Sequence, residues 1–417
     1  MDVVSNDPVL DEFEHHLRQQ GYERKTMQRA LASCRRFLAY LKQEGLTLEQ
    51  MTPDILEAYL TTQLHLFQQR HQHPPQSPNS WRQQFNPGIP GLLRYTLGQW
   101  PPKPAPTSER EAFDDQLTRD YAQWLRDVRG LAPQTITGLQ AEAKRFLNWF
   151  SSSEFDSPIN DLSVAQVDAW LTYRLVDKRR PTKAQLVHSF RSFLRWLYHR
   201  SVIARDLGAV VTAPSLYALE TLPSALSHQD IDRVLDQAQH DQTPKGLRDF
   251  AILTLLALYG LRAGEIVALR LEDVNWRDER LSIHHRKTGQ ETVLPLLAQA
   301  GEALLAYLRR GRPQTSAREI FIRAKAPYQP FRKGSSLYTL VDRRLQRAGI
   351  EPQGKHGPHA FRHAHALRLM RYGVPLKTIG DVLGHQAPKS TTVYLRLAMD
   401  DLRTVALDIP LSTEVPS

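Results

Sequence analysis

Two stretches of this chain carry the same helical pattern, and that repeat restricts the fold more than any other feature. FEHHLRQQGYERKTMQRALASCRRFLAYL, from Phe13, lies against YAQWLRDVRGLAPQTITGLQAEAKRFLNWF, from Tyr121. Leu17 then matches Leu125, Gly21 matches Gly130, Phe37 matches Phe146 and Leu60 matches Leu171. The offsets are 108, 109, 109 and 111, so the register survives small insertions. Leu93-Arg-Tyr95 echoes Leu194-Arg-Trp196 at an offset of 101, which gives the first copy the longer connection. Unrelated amphipathic hairpins would share the apolar period, but the aligned Gly and Phe positions favour a duplicated helical module.

Local signals place the elements. Leu10, Phe13 and Leu17 keep an i, i+3/i+4 pattern up to Gly21, and Thr26 to Leu41 continues it. Thr52-Pro53 opens a third helix, since Thr suits the N-cap and Pro the first turn. The Pro-rich runs HQHPPQSPNS and WPPKPAP read as loop and linker, with a short helix around Leu92 to Tyr95 between them. Lys183 to Trp196 is an amphipathic helix, and Ala204 to Ala225 is irregular up to Ser227, an N-cap. Helices are expected at Gln229–His240, Gly246–Tyr259 and Ala263–Arg270. Beyond Asp273 the period changes from 3.6 to 2, giving three short strands, 273–276, 280–284 and 291–295. Lys287-Thr-Gly289 sits at the turn between the second and third. From Ala298 the chain reads as helical to its end. The chain therefore divides into 1–107, a helical module that duplicates the next; 108–215, a second helical module; and 216–417, a last domain with a C-terminal tail. The fold class is mainly α with a small three-stranded antiparallel sheet.

At 417 residues the chain exceeds a single core. Its net charge of +10 and pI near 9.6 attract polyanions, nucleic acid foremost. Cys34 is the sole cysteine, which excludes an internal disulfide and any zinc site with two cysteines. Neither a secretory signal nor a membrane-spanning apolar run is visible, so a protein of the reducing cytosol is expected.

The chemistry-bearing residues concentrate between His356 and Tyr394. His359 and Arg362 are three apart and share a helix face. Gly384-His385 follows the apolar run Ile379 to Leu383, and Tyr394 comes nine residues after His385. Imidazoles, a guanidinium and a phenol suit a phosphate. His359 and His363 are four apart, but the Glu of HExxH and a third ligand are missing, so a zinc site is not expected. Tyr372 rivals Tyr394 as a phenol, yet it precedes Gly373 at a helix end, ahead of the Gly-His step. Arg286 competes with Lys287 if the hairpin register differs by one.

Read together, Arg262 in GLRAGE, Lys287 on a β-hairpin, His359-Ala-Phe-Arg362, Leu383-Gly-His385 and Tyr394 resemble the signature of the tyrosine recombinases, the phage integrase family. The resemblance covers roughly residues 115–410. It implies a helical core-binding (SAM-like) domain at 115–205 and a catalytic domain at 225–410 that together clamp duplex DNA. It also implies roles. Tyr394 is the nucleophile, Arg262 and Arg362 grip the phosphate, Lys287 protonates the leaving 5′ oxygen, His359 is the acid/base group, and His385 hydrogen-bonds the scissile phosphate. Glu265 resembles the acidic helper that orients an arginine, and His363 packs beside the site, while His365 is a core or helix-surface histidine. Lys144, Arg145, Arg191, Arg195 and Arg200 are candidates for phosphate contacts.

The implied function is site-specific recombination of double-stranded DNA, through a 3′-phosphotyrosyl intermediate and a Holliday junction. Phage or mobile-element integrase, transposon resolvase and chromosome-dimer resolvase all fit the class, and the extra N-terminal module favours integration or excision of a mobile element. The enzyme would work as a homotetramer, with an accessory DNA-bending or directionality factor as a further partner, and without cofactor, metal or membrane. The first module, 7–100, departs from the family, where many integrases carry a small β-rich arm-binding domain. The tail from Asp400 to Pro410 is amphipathic and is expected to dock on a neighbouring protomer. A type IB topoisomerase-like nicking-closing enzyme, or a catalytically silent DNA-binding descendant, would share much of this pattern. The intact Arg–Lys–His–Arg–His–Tyr set argues against the silent one.

Overall fold

The computed structural model describes residues 7–85, 87–102, 105–152, 158–215, 226–285, 289–351 and 356–384. The chain splits into two compact units, Met1–Pro102 with Leu222–Ser417, and Lys103–Thr221.

The first unit opens with helices α1 (Pro8–Gln19), α2 (Arg24–Gln43), α3 (Pro53–His71), α4 (Pro78–Phe85) and α5 (Ile89–Leu97), with a 3₁₀ turn at Leu48–Gln50. Asp7 and Thr52 cap α1 and α3 by accepting from Val9 and Ile55 backbone N–H groups. Phe13, Phe37, Tyr59 and Leu92 lie in one buried core. The expected loop around 71–80 instead passes into α4. Pro78 stands in its first turn, where a missing N–H costs nothing, and the Ser77 hydroxyl accepts from Ser80 N–H.

The second unit comprises α6 (Glu109–Asp127), α7 (Pro133–Ser152), α8 (Val164–Leu175), α9 (Arg180–His199) and the short α10 (Leu207–Val210), with a 3₁₀ turn at Ile159–Asp161. The order helix, helix, 3₁₀ turn, helix, then a last long-range helix is that of α1 to α5, with α4 as the insertion. The matched residues also sit alike. Phe37 and Phe146 are fully buried, and Gly21 and Gly130 both adopt positive φ. The echo weakens at two places: Tyr95 is exposed whereas Trp196 is buried, and Leu60 is buried whereas Leu171 is only partly so.

The rest of the first unit carries α11 (His228–Gln239), α12 (Pro244–Tyr259), α13 (Ala263–Ala268), β1 (Val274–Asn275), β2 (Arg280–His285), β3 (Gln290–Pro295), α14 (Ala298–Arg310), α15 (Ser336–Arg347), α16 (Pro358–Arg371) and α17 (Leu376–Val382). The sheet is antiparallel in the order β1-β2-β3, and the β2–β3 register runs from Arg280↔Pro295 to His285↔Gln290. Helix α12 is apolar almost all round and lies at the centre of the largest core, as such a helix must.

Two expectations need correction. The chain is not helical throughout beyond Ala298. Residues 311–335 form an irregular excursion tied by bridges Arg270↔Glu319 and Ile322↔Pro330. Prolines at 313, 327 and 330 oppose helix there, and the Arg312 guanidinium donates to the carbonyls of Ala317, Glu319 and Ile320 instead. Helix α13 also stops at Ala268 rather than Arg270, because the Leu269 carbonyl accepts from Ile320 N–H. Tertiary pairing overrides local propensity in both cases.

Candidate active site

The site is built where two helices end. Helix α12 stops at Gly260, whose φ of +60° suits the left-handed C-cap that glycine adopts without strain. Helix α17 stops at Leu383, followed by Gly384 at φ +61°. Arg362, on α16 and only 4% exposed, joins the two ends. Its Nη1 donates to the Gly260 carbonyl at 2.9 Å and its Nη2 to the Leu383 carbonyl. Helix C-termini leave carbonyls without partners and carry partial negative charge, so a buried guanidinium satisfies both demands.

Arg262 follows two residues after Gly260 and is the N-cap of α13. Its backbone N–H and its Nη1 both donate to Glu265, each at 2.7 Å, and its Nη2 donates to the Gly384 carbonyl at 3.1 Å. The two arginines therefore converge on consecutive carbonyls, 383 and 384, immediately before His385. The Arg262 side chain is 24% exposed. Two of its five N–H donors are engaged in these bonds, which leaves donors for an anion.

Glu265 is buried. Burial alone would raise its carboxyl pKa, but hydrogen bonds from His285 and Arg262, with the charge of Arg262, hold it below the ordinary carboxylate value. It is therefore ionised and acts purely as an acceptor. His285, on β2, engages its Oε1 through Nδ1 at 2.7 Å, and the His285 Nε2 lies 2.9 Å from the Thr292 hydroxyl on β3. Neither residue was singled out in the sequence. The available signal was the alternation Leu281, Ile283, His285, which places a histidine on the inward face of the strand next to Lys287.

His359 lies exposed on the first turn of α16, with its ring centroid 6.4 Å from that of His363 and 6.3 Å from that of Tyr338. Burial, with His359 and Arg362 close by, pushes the His363 imidazole down to about 4, so it is neutral at physiological pH. His365 is a core residue whose ring packs under Gly260, and burial with Arg368 nearby also pushes it down to about 4. Tyr372 is 77% exposed at the C-cap of α16. Arg286, Lys287, His385, Tyr394 and the tail 400–410 lie outside the described residues.

Among the proposed DNA contacts, Lys144 pairs with Asp115 at 3.1 Å and Arg145 with Glu142 at 3.0 Å. Arg191 donates to the Gly208 carbonyl, while Arg195 and Arg200 are exposed. No group of three or more metal-ligating side chains occurs among the described residues, nor does a helix long and apolar enough to cross a membrane.

Comparison with known proteins bears on this arrangement directly. The phage integrase family matches residues 224–401, a span containing Arg262, Glu265, Lys287, His359, Arg362, His385 and Tyr394. The integrase/recombinase y4gC of Sinorhizobium fredii is 55% identical over 194 residues, covering 46% of this chain and 99% of that protein. The integrase/recombinase y4rA of the same organism is 36% identical over 297 residues, covering 71% of each. The chain belongs to the phage integrase family. It is thus a tyrosine-type site-specific DNA recombinase, and DNA is its partner. Among other recombinases, XerD of Vibrio vulnificus is 28% identical over 68% of this chain and 91% of its own length. The fold agrees. A lambda integrase (75–356) dimer bound to a COC′ core site superposes with a TM-score of 0.52, at 16% identity over 72% of this chain and 99% of that one. The XerH recombinase in its post-cleavage complex with difH gives 0.53, at 15% identity over 75% and 92%.

Proposed function

We propose that this recombinase cuts one DNA strand per protomer through a 3′-phosphotyrosyl link at Tyr394 and exchanges strands by way of a Holliday junction. The observation that carries the reading is the convergence of Arg262 and Arg362 on the turn before His385. Two guanidiniums held there by buried acceptors are pre-organised to grip the non-bridging oxygens of a phosphodiester and to stabilise the charge added in its transition state.

The step balances with side chains alone. The Tyr394 oxygen forms a bond to phosphorus as its proton passes to His359, and the P–O5′ bond breaks as Lys287 protonates the leaving oxygen. His385 donates a hydrogen bond to the same phosphate. Glu265 orients Arg262, and the neutral His363 lines the site without adding charge. Attack by the 5′ hydroxyl of the partner strand reverses the step and reseals the chain. Bond energy is conserved in the phosphotyrosine, so neither ATP nor a metal is needed.

Residues 108–215 would serve as the core-binding domain and 216–417 as the catalytic domain, closing on DNA with Arg195 and Arg200 as exposed phosphate contacts. The module at 1–107 would be a second, diverged copy of the core-binding domain. Four protomers would complete the reaction, as in the lambda integrase tetramer bound to a Holliday junction, with the 400–417 tail docking on a neighbour. The extra module, and the fold shared with the integrase of the Tn1549 transposon at a TM-score of 0.51, support a role in moving a mobile element in a bacterial cytoplasm. An accessory DNA-bending or directionality factor would select between integration and excision.

The test is a set of nicked suicide duplexes tiling the DNA on either side of the gene. The wild type is expected to form a protease-sensitive covalent adduct on one of them, and Tyr394→Phe to form none. No adduct with the wild type, or one that survives Tyr394→Phe, would overturn the proposal.

A further inference from the structure

His285 is built into the site in a way the roles assigned above do not use. It is 2% exposed and is the last paired residue of β2, directly ahead of the 286–289 connection that contains Lys287. Its ring touches three things at once. Nδ1 meets Glu265 Oε1, the same carboxylate oxygen that accepts from Arg262 Nη1. Nε2 meets the hydroxyl of Thr292, which pairs with Ile283 and is therefore the diagonal neighbour of His285 on the same sheet face. The ring edge fills the space beside Gly384, where a Cβ would lie 2.4 Å from Cε1 and 2.5 Å from Nε2.

The hydrogen-bond directions follow from donor and acceptor inventory. An ionised carboxylate only accepts, so Nδ1 carries the proton, and in the neutral ring Nε2 is left to accept from the Thr292 hydroxyl. The result is a chain from Thr292 through His285 to Glu265, with the Arg262 guanidinium donating to the same Oε1 oxygen. Such a chain removes rotational freedom from the guanidinium in a buried setting, where a misplaced charge is costly. It also ties three separate pieces of sequence together: the strand leading to Lys287, the helix start that carries Arg262, and the turn leading to His385.

We propose that His285 is a positioning residue for strand cleavage: through Glu265 it fixes the Arg262 guanidinium, and it holds the end of β2 against the Gly384 turn. The inference rests on the recombinase reading of this site. A shift of about 1 Å in a reacting group can cost about 10²-fold in rate, which sets the size of effect to look for.

The experiment compares the full-length wild type with His285→Leu, His285→Asn and Thr292→Val on the suicide duplex that the wild type cleaves. Binding to that duplex and thermal unfolding are followed in parallel. Leucine keeps the bulk and loses both hydrogen bonds. Asparagine places an N–H near the position of Nδ1 and so keeps the bond to Glu265. His285→Leu is expected to lower the single-turnover cleavage rate about 10²-fold, with DNA affinity close to that of the wild type and a melting temperature lower by about 2–4 °C per kcal/mol lost with the buried bonds. His285→Asn is expected to recover most of that loss, and Thr292→Val to show a smaller defect. Undiminished cleavage by His285→Leu would overturn the proposal, as would an asparagine variant no better than leucine. Imidazole ¹⁵N spectra of the uncut protein give an answer independent of activity. His285 should show a protonated Nδ1 that shifts in Glu265→Gln, and an unprotonated Nδ1 would refute the chain. Absence of an adduct with the wild type would sink the recombinase reading itself. That outcome is distinct from a cleaving wild type whose His285→Leu variant cleaves equally well.

Discussion

Replacing Arg362 by alanine should unfold the catalytic region as well as inactivate it, and the size of the effect follows from its two bonds. The guanidinium donates to the carbonyls of Gly260 and Leu383, and both residues are buried. Without it two acceptors lose their partner in a place water reaches poorly. Each orphaned acceptor costs about 1–3 kcal/mol, so the pair costs about 4 kcal/mol, before any cavity is counted. For a domain of this size each kcal/mol moves the melting temperature by about 2–4 °C, so a fall of about 10 °C is expected. Arg362→Lys keeps the charge and can reach one carbonyl, so it should recover about half of the loss while still failing to cleave. Calorimetry of the full chain measures the fall. Hydrogen exchange localises it, with lost protection expected at the C-terminal turns of α12 and α17. An Arg362→Ala protein that melts within about 1 °C of the wild type would refute the idea that this arginine bolts the two helix ends together. Its role would then be confined to the phosphate.

Three further outcomes are expected. His365 is held neutral, with its folded pKa lowered to about 4, so its stabilising contribution is complete above the unfolded value near 6.5 and is lost as pH falls toward 4. Urea unfolding should therefore show about 2 kcal/mol less stability at pH 5 than at pH 7 from this residue, a loss that His365→Leu should remove. Gly384→Ala meets the His285 ring at 2.4 to 2.7 Å and also carries a left-handed φ, so it should lose both cleavage and at least about 1 kcal/mol of stability; unaltered cleavage would show that the ring is free to move. Removing the exposed Arg200 should weaken binding to the cleaved duplex and lower the slope of log affinity against log salt by about 1, whereas removing Lys144, already paired with Asp115, should change that slope less. Fluorescence anisotropy across a salt series checks both.

Much of the architecture was legible because it is written in local pattern. The period of 3.6 in α1 to α3 and α6 to α9, the change to period 2 at β2 and β3, and caps such as Thr52 and Ser227 each follow from forces acting within a few residues. The excursion at 311–335 was misread as helix, because what holds it is the Arg312 guanidinium on three carbonyls and a bridge to Arg270. Nothing nearby in the sequence announces either. The buried pairing of Arg344 with Asp249 and Asp241 is of the same kind, reaching about a hundred residues back from α15 to α12 and its approach.

For the site itself, the sequence by itself determined an order of residue types that matches one family, and from it the proposed cast: two arginines, a lysine, two histidines and a tyrosine. Chemistry restricts which side chains can grip a phosphate and attack it, so residue type and order carry that much. Only the tertiary structure decided how the cast is held. It made the C-termini of α12 and α17 neighbours, gave Arg362 their carbonyls, and put Glu265 between Arg262 and a histidine twenty residues further along the chain. Those contacts depend on packing between elements distant in sequence, where no local period or cap leaves a trace.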